Sequence, residues 1–407
     1  MNKGITDIKA EQILDSKKNP TLKVSVFVEN IVGSFEVPSG APRNKYEAHE
    51  LRDGEDNKSG LSKAIYQIEN TIKPALLGID ITSQFEIDKI MLDLDGTKQK
   101  TILGGNSMIG VSIAVAKTAA MIEKMETFEY LHTLKKIKPS RLIPYLYFNL
   151  ISGGKHSSTK LAFQEYHVVP QCNSIQESID MCKNIQSKLE GLLKEEFGEL
   201  QTKSDEGVML LPAEDVILPL GMLKKVVDDL GYTDKIKFAL DVRASSFYNF
   251  KHDTYKFMDK DWTSDELLDL YRQVDLEFPI ISIEDPFDEE DFNSFSKLQE
   301  IFSDVKVIGD NLTVTNIDRL EKAIKQKSIR GIIIKPNQIG TLSETLETMK
   351  LARDNDIDCI ISHRSGETID DFISDLAYAF GCFGIKAGAL GTKERDVKYE
   401  RLIKIAK

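Results

Sequence analysis

The chain has 407 residues, 41% of them hydrophobic and 29% charged, with a formal net charge of −12 and a pI near 5.2. These are the proportions of a water-soluble globular protein of two domains, or of one barrel with an attached domain. The acidity argues against nonspecific nucleic-acid or anionic-membrane partners, so an anionic substrate would need a local cationic pocket or metal ions. Cys172, Cys182, Cys359 and Cys382 stand in apolar or helical settings without metal-ligand spacing, which predicts reduced thiols in a cytoplasmic protein. No signal peptide and no apolar run long enough to span a bilayer is visible, so membrane insertion is not expected.

Residues 1–133 read as a separate α+β unit. Residues 22–28 alternate as a half-buried strand, and residues 33–37 form another after a turn. Helices are expected over residues 61–72 and 85–94. A third, over residues 106–121, is apolar on most faces and therefore buried.

Residues 134–407 read as a barrel, entered through the basic link of residues 134–141. A first strand is expected over residues 142–148, and the Gly153-Gly154 loop leads into a second over residues 162–169. With no helix between them, these two strands should run antiparallel. Helices follow over residues 175–197 and 219–230, separated by the polar loop Lys203-Ser204-Asp205-Glu206-Gly207. After that, apolar runs end repeatedly on a polar residue: Asp241, Glu284, Asp310, Lys335, His363 and Lys386. From Glu284 onward these ends recur at about 25-residue intervals, the length of one strand plus one helix. Continuous apolar runs suit strands buried on both faces, as in a parallel sheet. Such strands deliver their C-terminal ends to one edge, so three acids, two lysines and a histidine would converge there. Taken singly, each charge is an ordinary cap or salt bridge. Six in register point to a functional site.

Several stretches are more specific. Ser362-His363-Arg364-Ser365-Gly366-Glu367-Thr368, Lys335-Pro336-Asn337-Gln338-Ile339-Gly340 and Ser282-Ile283-Glu284-Asp285-Pro286-Phe287 resemble motifs of the enolases, the phosphopyruvate hydratases of glycolysis. So do Asn311-Leu312-Thr313-Val314-Thr315-Asn316, Pro38-Ser39-Gly40-Ala41 and Glu50-Leu51-Arg52-Asp53-Gly54. The resemblance runs in order from Ile13-Leu14-Asp15-Ser16 to the C-terminus. It implies an α/β protein with an enolase-type (β/α)8 barrel, ββαα(βα)6, behind an N-terminal α+β domain. The implied reaction interconverts 2-phosphoglycerate and phosphoenolpyruvate with two magnesium ions, in a homodimer or larger homo-oligomer. Carried onto matching positions, Asp241, Glu284 and Asp310 would bind the first magnesium, and Ser39 would help to hold the second. Lys335 would be the base and Glu206 the acid. His156, Gln164, Glu165, His363, Arg364, Ser365 and Lys386 would line the substrate.

Elementary chemistry agrees with those implied roles. Removing a proton α to a carboxylate makes a dianion, which hard divalent cations held by carboxylates can stabilise. A lysine acts as base only when its ammonium is destabilised, as nearby metal ions and Lys386 would do. Hydroxide leaves poorly, so an acid must protonate it from the other side. The planar fork of Arg364 suits a phosphate.

The chain also departs from the family pattern. Lys17-Lys18 stand where Arg-Gly is usual, and Ala41-Pro42-Arg43-Asn44 replace Ala-Ser-Thr-Gly in a loop expected to close over the site. Ser152 replaces an asparagine, Val208-Met209 replace Gly-Phe, and Asn311 replaces an aspartate beside Asp310. Two other readings stay open at this level: an enzyme abstracting an α-proton from a different carboxylate, and a non-catalytic binding or scaffold protein. Arg364, Ser365 and Lys386 argue against the first, and retention of Lys335 and Glu206 against the second.

Overall fold

The computed structural model describes residues 3–40, 44–56, 58–154, 159–198 and 207–406. His156, Glu206 and residues 41–43 lie outside the described residues.

The first unit is built on three antiparallel strands in sequence order, β1 (Asp7–Leu14), β2 (Pro20–Val28) and β3 (Ile31–Glu36). On β2 the residues Leu22, Val24, Val26 and Val28 are buried in alternation, as the pattern requires. The helix Gly105–Glu123 packs across β2 and β3. Gly110 permits the close approach, because a Cβ there would stand 2.6 Å from Val24 Cγ2. By length and composition this helix could cross a bilayer, contrary to the expectation that no such run exists. It is instead a core helix, with 83% of its apolar window buried inside the protein. The helix expected over residues 61–72 is α-helical over Ser62–Gln67, π-helical over Ile68–Ile72 and α-helical again over Lys73–Leu76. Pro74 explains the wide turn: it has no N–H to give and its ring crowds the preceding carbonyls.

The barrel strands are β4 (Tyr145–Ser152), β5 (Glu165–Pro170), β7 (Ile236–Asp241), β11 (Ile280–Glu284), β12 (Lys306–Gly309), β13 (Gly331–Ile334), β14 (Asp358–Ser362) and β15 (Gly384–Lys386). The short β6 (Met209–Leu210) pairs with the end of β4. A separate three-stranded excursion, β8 (Tyr248–Asn249), β9 (Thr254–Phe257) and β10 (Lys260–Trp262), leaves the ring between β7 and β11. Pairing of β15 with β4 closes eight strands into a barrel. β5 alone runs against its two neighbours, β4 and β7. Helices Ile175–Phe197 and Leu218–Asp229 fill the connection from β5 to β7, which gives a ββαα start before the βα repeats. The first strand begins at Tyr145 rather than at residue 142, and Leu142 is 92% exposed. Pro144 has no N–H for the ladder, whereas the Tyr145 N–H donates to Phe383 O at 3.0 Å.

Inside the barrel Tyr147, Val169, Ala239, Ile281, Ile308, Ile333 and Ile360 form an apolar layer of their own, separate from the large core beneath the helices. The charged side chains at the strand ends lie beyond it. All four cysteines are free, and burial pushes the thiols of Cys182, Cys359 and Cys382 up.

Candidate active site

Register alone brings the acids together. Glu165 on β5 stands opposite Asp241 on β7, and Asp241 stands opposite Glu284 on β11. Because β5 runs backwards, its first residue lies at the edge where the parallel strands end. Lys386, at the end of β15, reaches the same level. Its Nζ lies 2.7 Å from Glu284 Oε2, 3.2 Å from Asp241 Oδ2 and 3.3 Å from Glu165 Oε2. All four residues are buried. Burial would lower the Lys386 ammonium, but Glu284, Asp241 and Glu165 outweigh it and hold it well above its ordinary range. Burial, then Asp241, pushes the Glu284 carboxyl well up against the pull of Lys386.

Asp310 and Lys335 form the next part of the rim, with Lys335 Nζ 2.5 Å from Asp310 Oδ2. Burial opposes ionisation of Asp310, yet Lys335 outweighs it and keeps the carboxyl below its usual range. The Lys335 N–H donates to Thr315 Oγ1 at 2.9 Å, which orients the strand end. Gln164 donates from Nε2 to Asp241 Oδ2 at 3.1 Å and accepts from Arg243 Nη1 at 2.9 Å.

Asp285, next to Glu284, has φ +45 and turns its carboxylate back into the protein. There it accepts from the N–H groups of Asp310 at 3.0 Å and Asn311 at 2.7 Å. Burial and then Asp310 push it up to about 8. It therefore pins the β12 loop that carries Asp310.

His363, Arg364 and Ser365 line the same small polar cavity, of about 60 Å³, together with Gln164, Glu165, Asp241, Asp310, Lys335 and Lys386. Arg364 donates from Nη2 to Glu47 Oε2 at 2.8 Å, and both side chains are buried. Burial lowers the Arg364 guanidinium, but Glu47 more than offsets this and the net direction is up. Glu47 belongs to the first domain and has no motif to announce it. Arg395, which donates to His363 Nδ1, was equally silent in the sequence, since it stands in a surface-like helical run of charges.

Ser39 lies three residues beyond the end of β3. Its hydroxyl donates to Glu50 Oε1 at 3.0 Å and accepts from Arg52 Nη2 at 3.2 Å. Gly40, not Ser39, lines the cavity. The backbone of Ser39 bridges to Gly366, donating at 2.8 Å and accepting at 2.9 Å, and so ties the loop base to the His363 segment.

Among the described residues no three His, Cys, Asp or Glu side chains stand ready as a metal cage. Lys386 Nζ is the cation at the centre of Glu165, Asp241 and Glu284. The donor set nevertheless fits a hard divalent cation: it is all oxygen, and Glu284 Oε1 is buried without a hydrogen-bond partner.

Comparison with known proteins adds the last observations. Residues 5–131 match the family described as the enolase N-terminal domain, and residues 140–407 match the enolase C-terminal TIM barrel domain. The chain is 41% identical over 409 residues to an enolase of Methanopyrus kandleri, covering 98% of this chain and 95% of that protein. It is 40% identical to an enolase of Methanocaldococcus jannaschii, covering 98% and 94%. An enolase of Saccharolobus solfataricus is 38% identical, covering 99% and 95%.

Proposed function

The chain belongs to the enolase family, and on that premise we infer that its barrel mouth carries out the reversible dehydration of 2-phosphoglycerate to phosphoenolpyruvate. It is a carbon–oxygen hydro-lyase, a phosphopyruvate hydratase of glycolysis. One observation carries the reading of the site furthest: three buried carboxylates surround Lys386 Nζ, with Lys335 and Arg364 on the same rim.

In this reading Arg364 takes the phosphate, exchanging Glu47 for an anion whose oxygens match its fork. His363, Ser365 and His156 add donors around it. Gln164, Glu165 and Lys386 line the remainder of the substrate. Lys335 takes the proton α to the carboxylate, and Glu206 protonates the departing hydroxide from the opposite side. Asp241, Glu284 and Asp310 would hold one magnesium ion of a pair, whose charge stabilises the negative charge developing on the substrate carboxylate. Ser39, whose hydroxyl donates to Glu50 and accepts from Arg52, would help to hold the second ion. We further propose a cytoplasmic homodimer or larger homo-oligomer, divided into residues 1–133, which cap the mouth, and the barrel of residues 134–407.

The ultraviolet absorbance of phosphoenolpyruvate formed from 2-phosphoglycerate tests the reaction. Formation with magnesium and none without it is expected; no formation in either case overturns the reading. Within it, Lys335→Ala should abolish exchange of the C2 proton with solvent. Glu206→Gln should lose dehydration yet keep exchange. Equal exchange in both variants would sink this division of labour.

A further inference from the structure

Arg395 lies near the start of the last helix, Lys393–Ile405, and none of it is exposed. A guanidinium taken wholly out of water is costly unless its donors are well used. Here they converge on one short segment. Nη1 donates to Arg364 O at 2.9 Å and also to His363 Nδ1, while Nη2 donates to Ser365 O at 3.3 Å. Three consecutive residues of the cavity wall therefore hang on one side chain. Gly388, with φ +86, lies over the pair: a Cβ there would meet Arg395 Cδ at 3.2 Å and His363 Cε1 at 3.3 Å.

The chemistry of the contact is one-sided. A guanidinium has donors only, so the ring nitrogen facing it must offer a lone pair. His363 Nδ1 is then unprotonated, and a neutral ring carries its single hydrogen on Nε2. Burial and then Arg395 hold the imidazole well below its ordinary range. Glu165 pulls the other way, while Lys386 and Lys335 reinforce Arg395.

We propose that Arg395 is a positioning residue that fixes His363 as the neutral ring with hydrogen on Nε2, a donor of constant charge toward the phosphorylated acid. Only the identity of that acid rests on the enolase reading; the tautomer is a property of the protein alone. An imidazole left to itself would change charge in the range where the phosphate of the substrate does too. With Arg395 behind it, the ring's contribution to binding does not vary with pH.

Nitrogen-15 imidazole NMR of the substrate-free full chain tests the tautomer, with the His363 signal assigned by its loss in His363→Asn. The Nε2–H form should persist between about pH 5.5 and 8. A hydrogen on Nδ1, or protonation with an ordinary midpoint of about 6.5, overturns the proposal without any variant. In Arg395→Gln, with burial left in place, the ring's midpoint should rise from the parent's toward that value. The KM of the variant relative to the parent should rise about tenfold at pH 8, the worth of one hydrogen bond to a charged group, and fall back at pH 6 as the ring becomes cationic. Arg395→Lys should restore a ratio independent of pH. A ratio flat with pH in Arg395→Gln means that Arg395 only supports the fold, and refutes the proposal. Absence of turnover in the parent would count against the reaction, while the substrate-free spectra still decide the tautomer.

Discussion

Charge compensation governs the site at the level of single residues. Glu165, Asp241 and Glu284 face one another on adjacent strands, and carboxylates at that spacing repel unless a cation stands among them. Lys386 supplies it, and Lys335 does the same for Asp310. The same accounting applies at Ser39. Its hydroxyl sits between Glu50 and Arg52, whose Nη2 and Oε1 are 2.5 Å apart. Ser39→Ala should therefore lower stability by about 1 kcal/mol, the net worth of one buried hydrogen bond. Magnesium affinity should fall about tenfold or more in a calorimetric titration, and an unchanged affinity would take Ser39 out of the second metal site.

Elements meet at the site with little slack. The loop from β3 passes so close to the barrel that a Cβ on Gly40 would stand 1.6 Å from Arg364 Nη2. Gly40→Ala should displace that guanidinium while leaving the strands intact. Since an error of about 1 Å in a binding group costs about a hundredfold, kcat/KM for 2-phosphoglycerate should fall by that order with an unchanged circular-dichroism melt. Kinetics equal to the parent would show that Arg364 does not need its present position. The site elements were legible because they are short, apolar and end on a charge; the six polar ends and the reversed second strand could be read directly. Glu47, Arg395 and the excursion β8–β10 could not. Glu47 and Arg395 matter through what folding brings beside them, and the excursion is a run of aromatic and charged residues without period. β1 is hidden in the sequence for a similar reason: Gln12 breaks the alternation that Ile8-Lys9-Ala10-Glu11 begins, and its pairing with β2 holds it in place. The turn after β1, where Lys18 replaces the family's glycine, keeps φ +60. Asp15 makes this possible by accepting from the N–H groups of Lys17 and Asn19, each at 2.8 Å.

On the scale of the whole molecule, Asp88 joins the two parts of the chain. It lies on the helix Gln84–Asp95 and is fully buried. Its Oδ2 accepts from the Ser343 N–H at 2.9 Å and from Ser343 Oγ at 2.5 Å, at the N-terminus of the barrel helix Leu342–Asp354. That helix end favours negative charge, and Gln84 Nε2 adds a donor at 3.2 Å. Burial nevertheless prevails over Ser112, Ser343 and Gln84, and the carboxyl is pushed up from its ordinary range. The folded protein thus keeps the Asp88 proton to a higher pH than the unfolded chain does. Its contribution to stability is fully present below the unfolded carboxylate range and is lost as the pH rises through the folded value. Asn has the same shape, can still accept from Ser343 and does not titrate. The urea midpoint of Asp88→Asn, measured against the parent, should therefore move in favour of the variant between about pH 4 and 8. A difference that stays constant, or that moves toward the parent, would mean that the donors around Asp88 outweigh its burial and that the join between the domains is ionised throughout.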